Sequence, residues 1–247
     1  MMDRVEVRAP ARIDLAGGWS DTPPICNALG GTVVAAAVKL SGRLPIRVSV
    51  ARRPEPGMLV RSRDLGKCRE LKSDAELRDH SDPRDWCALV KSALVVTGWR
   101  MARGGLEIEL SSDLPKGSGL GTSSILGACL VSALERLAGR GHDVARVRDL
   151  VLELEQEMRT GGGWEDQMGA LVPGVKILRS AAGGRQDVSW ERLSAEEEAR
   201  AARFLKARGL LYFTGEKRMA RNVLRGVLKN FAADGDEGVA RVEALKA

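Results

Sequence analysis

The chain has 247 residues, of which 44% are hydrophobic and 29% are charged, and its formal net charge is +6. This length and apolar content suffice for one large domain or two modest ones. No apolar run is long enough to cross a bilayer, and the N-terminus lacks the apolar core of a signal peptide. We therefore expect a cytoplasmic protein with no membrane partner.

The charged residues, histidines and cysteines exclude several classes of function. The basic residues form no dense block with interleaved aromatics, which argues against nucleic acid as a partner and favours phosphorylated small molecules. With only two histidines, His80 and His142, a zinc site or a histidine-based triad is not expected. The four cysteines are widely scattered, and we expect reduced, buried thiols.

The N-terminal segment contains the first candidate site. Residues 4–8 alternate apolar and charged side chains and predict a strand. Residues 9–24 then place Arg12, Asp14 and Asp21 around a Gly-Gly turn. Carboxylates in a tight loop accept hydrogen bonds from sugar hydroxyls, and an arginine there can hold a phosphate. The alternative is a surface loop in which the aspartates cap turns.

The next stretch supplies scaffold elements. Residues 63–82 are polar and charged, and we expect them to be irregular. Apolar residues at helical spacing predict a helix at 86–98. The strands predicted from apolar runs are residues 30–38, 44–50 and 57–62.

The most informative stretch is residues 113–124, Asp-Leu-Pro-Lys-Gly-Ser-Gly-Leu-Gly-Thr-Ser-Ser, between a predicted strand at 106–110 and a predicted helix at 125–137. Its glycines allow a tight turn whose N–H groups approach a ligand closely. The helix start adds free N–H groups and the positive end of the helix dipole. The element therefore suits phosphate, although a glycine turn with a Ser/Thr helix cap is the alternative.

Two common phosphate-binding loops do not fit this stretch. The P-loop of nucleotide triphosphatases places lysine after the glycines, whereas Lys116 precedes them. The dinucleotide-binding loop needs a third glycine where Thr122 stands.

A second helix, predicted at residues 144–158, carries three alternating glutamates, of which at most one can face inward. These are Glu153, Glu155 and Glu157. The segment 160–167, Thr-Gly-Gly-Gly-Trp-Glu-Asp-Gln, follows it. Asp166, just after a glycine turn, is either a general base or a helix cap, and the pattern leaves both open.

The remaining chain is predicted to mix strands and helices without repeats, low-complexity tracts or a clear linker. Acidic residues in the first turn and Gly209 at the end delimit a helix at 194–208. The other predicted elements are strands at 175–178 and 210–213, a helix from about 217 to 231, and a final helix.

Three separated segments together resemble the GHMP superfamily of small-molecule kinases, which includes galactokinase, homoserine kinase and mevalonate kinase. They are Pro10-x-Arg12-x-x-x-x-Gly17-x-x-x-Asp21, the loop 115–124, and Thr-Gly-Gly-Gly-Trp-x-Asp-Gln at 160–167. Within the superfamily, these segments and residues 211–222 are most similar to the kinase domain of L-fucose kinases. The resemblance covers residues 5–231.

The resemblance implies ATP and Mg²⁺ as cofactors. The Ser123 hydroxyl and Glu155 would hold the metal, because Glu155 lies eleven residues before Asp166, where these kinases keep an acidic ligand. The residues that would wrap the triphosphate are Lys116, Gly117, Ser118, Gly119, Leu120, Gly121, Thr122, Ser123 and Ser124.

It also implies a sugar as substrate. Asp166 would accept or orient the proton of the sugar hydroxyl, and Arg12 would stabilise charge on the transferred phosphoryl group. Trp19 and Gly18 stand where galactokinases carry His and Glu, and an apolar ring suits a 6-deoxy sugar. The substrate-binding residues implied are Asp14, Gly18, Trp19, Asp21 and Gly163.

The implied reaction is transfer of the γ-phosphoryl group of ATP to the anomeric hydroxyl of L-fucose. Alternatives are a D-glycero-D-manno-heptose 7-phosphate kinase or another sugar kinase, and a non-catalytic nucleotide- or sugar-binding relic. The sequence leaves the oligomeric state open.

The implied fold is α+β with two lobes. Residues 1–188 would form a lobe like the second domain of ribosomal protein S5, with a left-handed βαβ crossover. Residues 189–247 would begin a ferredoxin-like lobe that is incomplete, because no third glycine-rich motif follows. We therefore expect exposed apolar surface where such a lobe would pack.

Overall fold

The computed structural model describes residues 3–82, 84–115, 117–213 and 220–247. Its fold is α+β, as predicted, with two sheets and flanking helices. The strands are β1 (Arg4–Ala9), β2 (Ala11–Ala16), β3 (Gly31–Val38), β4 (Ile46–Arg53), β5 (Met58–Ser62), β6 (Lys67–Leu71), β7 (Gly105–Ser112), β8 (Val175–Ser180) and β9 (Val188–Arg192). The helices are α1 (Ile25–Leu29), α2 (Asp74–Arg78), α3 (Ala88–Val96), α4 (Thr122–Leu137), α5 (Val144–Glu157), α6 (Glu165–Leu171), α7 (Ala195–Arg208) and α8 (Ala220–Lys246).

The larger core lies under a five-stranded sheet of order β1-β4-β7-β5-β6. Helix α4 packs against β1 and β4, with α3 and α5 beside it. Alternating residues such as Val48 and Ile108 meet Leu130 of α4, and all three are fully buried. This packing fixes the start of α4, and with it the glycine loop that precedes the helix.

The smaller core lies under a four-stranded antiparallel sheet of order β2-β3-β8-β9. Helix α6 packs across β2 and β3 and buries Trp164 and Met168 against Val33 and Leu178. The packing of α6 against β2 brings Arg12 and Asp166 together, although they are far apart in the sequence.

Three elements differ from the sequence-based expectations. The loop predicted at 9–24 begins as strand β2, so Arg12 and Asp14 lie on a sheet. The stretch 63–82 contains β6 and α2 rather than irregular chain. Strand β6 escapes pattern analysis because it is a mostly exposed edge strand, and it therefore lacks apolar alternation.

The C-terminal part departs most from prediction. Residues 210–213 were expected to form a buried strand, but they lie outside any strand and are 43% to 89% exposed. A strand needs a neighbouring strand for its backbone hydrogen bonds, and no described strand pairs with residues 210–213. The start of the helix predicted from about residue 217 lies outside the described residues.

The predicted boundary at residue 188 falls at the first residue of β9, which pairs with β8. Residues 188–192 therefore belong to the sheet of the preceding part. Within the described part of the chain, no helix combines the length and apolarity needed to cross a membrane.

Candidate active site

The glycine loop turns through three residues that need positive φ. Gly117, Gly119 and Gly121 have φ values of 77°, 76° and 69°, a region that other residues rarely adopt. Gly121 is the residue from which α4 begins. Lys116, predicted to bind nucleotide, lies outside the described residues.

The loop leaves polar groups unpaired. The Ser118 and Thr122 hydroxyls are buried without a hydrogen-bond partner among the described residues. The first hydrogen bond of helix α4 runs from the Ile125 N–H to the Gly121 carbonyl. The N–H groups before Ile125 therefore have no partner within the helix. Buried hydroxyls beside free N–H groups at a helix start fit an anionic ligand such as a triphosphate.

The same loop lies close to Asp166. A Cβ placed on Gly121 would lie 2.9 Å from Cγ of Asp166, closer than real Cβ atoms approach. Glycine is therefore required here both for the backbone turn and for this contact.

Ser124 connects two acidic residues at the start of α4. Its hydroxyl donates to Oε1 of Glu155 at 2.7 Å and lies 3.5 Å from Oδ2 of Asp166. Ser123, predicted as a metal ligand, is exposed. The serine that bonds to Glu155 is Ser124, while the metal-binding role of Ser123 stays a prediction.

Glu155 is the inward-facing glutamate of α5. It is buried, whereas Glu153 is exposed and the Glu157 side chain is 43% exposed. Burial raises the pKa of Glu155 to about 7, although the Ser124 hydrogen bond opposes the rise. The Thr160 hydroxyl donates to its Oε2.

Arg12 lies among carboxylates. Its Nε donates to Oδ1 of Asp166 at 2.7 Å, and its Nη2 also contacts that oxygen. Oε1 of Glu165 lies 3.2 Å from the same Nε. Burial opposes the charge of Arg12, but the negative charges of Asp166 and Glu165 prevail and raise its pKa. Burial likewise raises the pKa of Glu165, against the attraction of Arg12.

Asp21 is buried and holds a turn. Its Oδ2 accepts the backbone N–H of Glu165 at 2.8 Å, and burial raises its pKa to about 6. A Cβ on Gly163 would overlap this carboxylate, which explains the glycine. In the structure, Asp21 contacts Gly163 and the start of α6, while the predicted contact of Asp21 and Gly163 with sugar stays a prediction.

The other predicted substrate residues line the surface beside this turn. Trp19 is 39% exposed and has φ of 73°, an unusual conformation for a bulky residue. The exposed carboxylate of Asp14 lies directly over Gly18, where a side chain would collide with it.

The composition of the site fits one kind of divalent cation. Among the described residues, no group of three or more His, Cys, Asp or Glu side chains is placed to hold a metal. Mg²⁺ commonly takes one or two carboxylates and completes its shell with water and substrate phosphates. Glu155, with Asp166 on the other side of Ser124, fits such an ion beside a bound triphosphate.

Sequence analysis missed two residues of this site, Glu165 and Gly169. Glu165 was given no role, because it occupies the variable position of the Trp-x-Asp segment. Gly169 lies in a short segment that belongs to no motif. A carboxylate directly before a candidate base was the available signal for the first. Gly169 gave none, because only its packing against Arg12 distinguishes it.

The family comparison agrees with this geometry. Residues 88–174 match the family model described as GHMP kinases N terminal domain, which covers the glycine loop, Glu155 and Asp166. This segment is therefore a GHMP kinase N-terminal domain.

Three relatives narrow the similarity within the family. The chain is 37% identical over 232 residues to an Arabidopsis thaliana bifunctional fucokinase/GDP-fucose pyrophosphorylase, covering 92% of this chain and 22% of the relative. It is 34% identical over 243 residues to a Bacteroides fragilis L-fucokinase/L-fucose-1-P guanylyltransferase, covering 90% and 25%. A Campylobacter jejuni D-glycero-alpha-D-manno-heptose 7-phosphate kinase is 25% identical over 223 residues, covering 90% and 63%.

Solved structures agree on the fold. The Methanococcus jannaschii mevalonate kinase has a TM-score of 0.61 at 16% identity, covering 79% of this chain and 57% of that one. Lactococcus lactis galactokinase, solved with galactose, has a TM-score of 0.59 at 17% identity, covering 94% and 70%. The chain spans about a quarter of the length of the two fucokinase relatives.

Proposed function

We propose that this chain carries the phosphoryl-transfer site of an ATP-dependent L-fucose kinase, which forms ADP and fucose 1-phosphate. The observation that carries the proposal is the convergence on Asp166. Gly121 of the phosphate loop packs against it, Arg12 bonds to it, and Ser124 links it to Glu155. The 37% and 34% identities to fucokinase-containing relatives support L-fucose as the substrate.

In this proposal the loop N–H groups and the Ser118 and Thr122 hydroxyls hold the triphosphate. Asp166 accepts the proton of the anomeric hydroxyl while the oxygen of that hydroxyl bonds to the γ-phosphorus. The bond between the γ-phosphorus and the β–γ bridging oxygen breaks at the same time, which releases ADP. Arg12 stabilises charge on the phosphoryl group in flight. When bound at Glu155, Mg²⁺ neutralises phosphate charge.

The charges around Trp19 favour a neutral sugar over a sugar phosphate. Asp14 and Asp21 flank Trp19 in the sequence, and each lies close enough to Asp166 for the negative charge of Asp166 to raise its pKa. A substrate phosphate brought near these carboxylates would be repelled. The half-exposed indole offers an apolar surface for the methyl group of a 6-deoxy sugar.

A heptose 7-phosphate kinase is the second candidate, because a relative with that name aligns with 90% of this chain. The two candidates differ in where the substrate carries charge. The acidic surroundings of Trp19 weigh against the phosphorylated heptose, and the higher identity to the fucokinase-containing relatives weighs in the same direction.

The test is ADP release by the purified chain with Mg-ATP and a panel of L-fucose, D-galactose and D-glycero-D-manno-heptose 7-phosphate. We expect the highest kcat/KM for L-fucose. Equal turnover of galactose and fucose would remove the argument from Trp19, and preference for the heptose phosphate would establish the second candidate.

A longer reading frame containing this segment serves as the positive control. If the longer protein is active and the isolated chain binds nucleotide without ADP release, the site needs sequence outside this chain. If neither releases ADP but sugar or nucleotide still binds, the non-catalytic alternative replaces the kinase.

A further inference from the structure

Arg12 lies along one face of the short helix α6. Gly169, in the middle of that helix, has no side chain where the arginine passes. A Cβ placed on it would lie 2.9 Å from Cβ and 3.2 Å from Cγ of Arg12. These two atoms are the first of the side chain after Cα, so they cannot move away from Gly169 unless the rest of the arginine side chain moves with them.

The charged end of Arg12 meets the first turn of the same helix. Glu165 and Asp166 both contact its guanidinium group, and Gly169 lies one turn further on. Residues four positions apart share a helix face, so α6 presents an acidic pair and a gap to one arginine.

Both ends of α6 are themselves fixed. Asp21 accepts the Glu165 N–H at the start of the helix. Lys176, fully buried on β8, donates to the carbonyl of Gly169 within the helix and to the carbonyl of Gly174 just beyond the helix. Because the helix is held in place, the space left by the absent side chain of Gly169 determines where the Arg12 side chain lies.

We infer that Glu165 and Gly169 are positioning residues that set the guanidinium group of Arg12 beside Asp166. Gly169 fixes the path of the aliphatic part. Glu165 gives the guanidinium group a second carboxylate, so the group keeps its place when a substrate hydroxyl competes for Asp166. The link to catalysis rests on the proposed function, whereas the placement of Arg12 does not.

The test compares Gly169→Ala and Glu165→Gln with two controls, Gly141→Ala and Glu153→Gln. Gly141 is exposed with open space around its Cβ position, and Glu153 is exposed on α5. The first readout is the ¹H–¹⁵N signal of the Arg12 Nε–H group, assigned by its loss in Arg12→Lys. The second is kcat for ADP release.

We expect both test variants to move the Arg12 signal, and Gly169→Ala to lower kcat by about 10²-fold, the penalty for a misplacement of about 1 Å. The controls should change neither readout. Folded test variants that leave the Arg12 signal in place would overturn the inference. If Gly169→Ala does not fold, the Glu165→Gln spectrum decides alone.

The two readouts separate this inference from the proposed function. A moved Arg12 signal with unchanged turnover supports the positioning by α6 and removes Arg12 from the reaction. A chain without detectable activity still reports the position of Arg12 through its spectrum. A lowered melting temperature with an unmoved signal would indicate a purely structural role and overturn the inference.

Discussion

Residues 4–192 and residues 195–247 use their apolar side chains differently. In the first part, two sheets and six helices enclose cores in which residues such as Leu130 are fully buried. In the second, α7 contains no buried residue, and Val242 is the buried apolar residue among the described side chains of α8. Phe204 and residues 210–213 are exposed.

This difference explains where the site lies. The site places three acidic residues, Glu155, Glu165 and Asp166, close to Arg12. Acidic side chains this close together move apart unless the packing around them is rigid. The two cores of the first part meet at α4 and α6 and supply that rigidity. The described residues of the second part form no such core, although the last helix contacts α1 and β3 and Lys246 bonds to the Leu29 carbonyl.

The largest effect should follow from removing the proposed base in the packed part. Asp166→Asn should lower kcat by about 10²- to 10⁴-fold, because the amide cannot accept the sugar proton. Asp234, which pairs with Arg241 at 2.8 Å on α8, is the matched control, and Asp234→Asn should leave kcat unchanged. ADP release measures both, and an unaltered rate in Asp166→Asn would remove the proposed role.

Core truncation should separate the two parts next. Leu130→Ala leaves a cavity in the larger core and should lower the free energy of unfolding by about 2–5 kcal/mol. Phe204→Ala on α7, where the ring is 65% exposed, should change it by less than about 0.5 kcal/mol. Urea unfolding measures both. Equal losses would mean that α7 has a packed partner in solution.

A pH effect should come from buried Asp21. Its pKa is raised from 3.8 to about 6 by burial, so the folded state keeps this proton where the unfolded chain has lost it. That stability is fully present below pH 3.8 and is lost as pH rises to about 6, by about 1.4 kcal/mol per pH unit at most. Asp21→Asn should flatten the decline in urea melts over this range, and an unchanged slope would contradict the shift.

The smallest effect should come from the helix caps. Asp143 accepts the N–H groups of Ala145 and Arg146 at the start of α5, so Asp143→Ala should lower global stability by about 1 kcal/mol. Ser194 forms a capping box with Glu197 on α7. Ser194→Ala should speed amide exchange within α7 without changing the urea midpoint. A shifted midpoint would show that α7 unfolds together with the core.

Pattern alone was enough for elements whose signal is local. The glycine loop, the helix after it and the inward orientation of a single glutamate on α5 follow from backbone freedom and helical spacing. The superfamily followed from three short segments in order, and the matching family model confirms it. The roles of individual site residues stay predictions.

Pattern analysis failed where a partner decides the structure. Residues 210–213 have strand composition, yet a strand forms only beside another strand. Strand β2 was interpreted as part of a loop because the glycines, aspartates and prolines of residues 9–24 mark turns, while its pairing with β3 lies beyond any local window. Cys68 was expected to be buried, but it lies on the exposed edge strand β6.

By itself, the sequence determined a phosphate-type loop, four candidate acidic residues and a candidate arginine. Only the tertiary structure decided that Ser124 rather than Ser123 meets Glu155, and that Gly169 lies where Arg12 passes. The physical reason is range. Backbone conformation depends on neighbours a few residues away, whereas the rotation of α4 and the contact between β2 and α6 depend on how two separate cores pack.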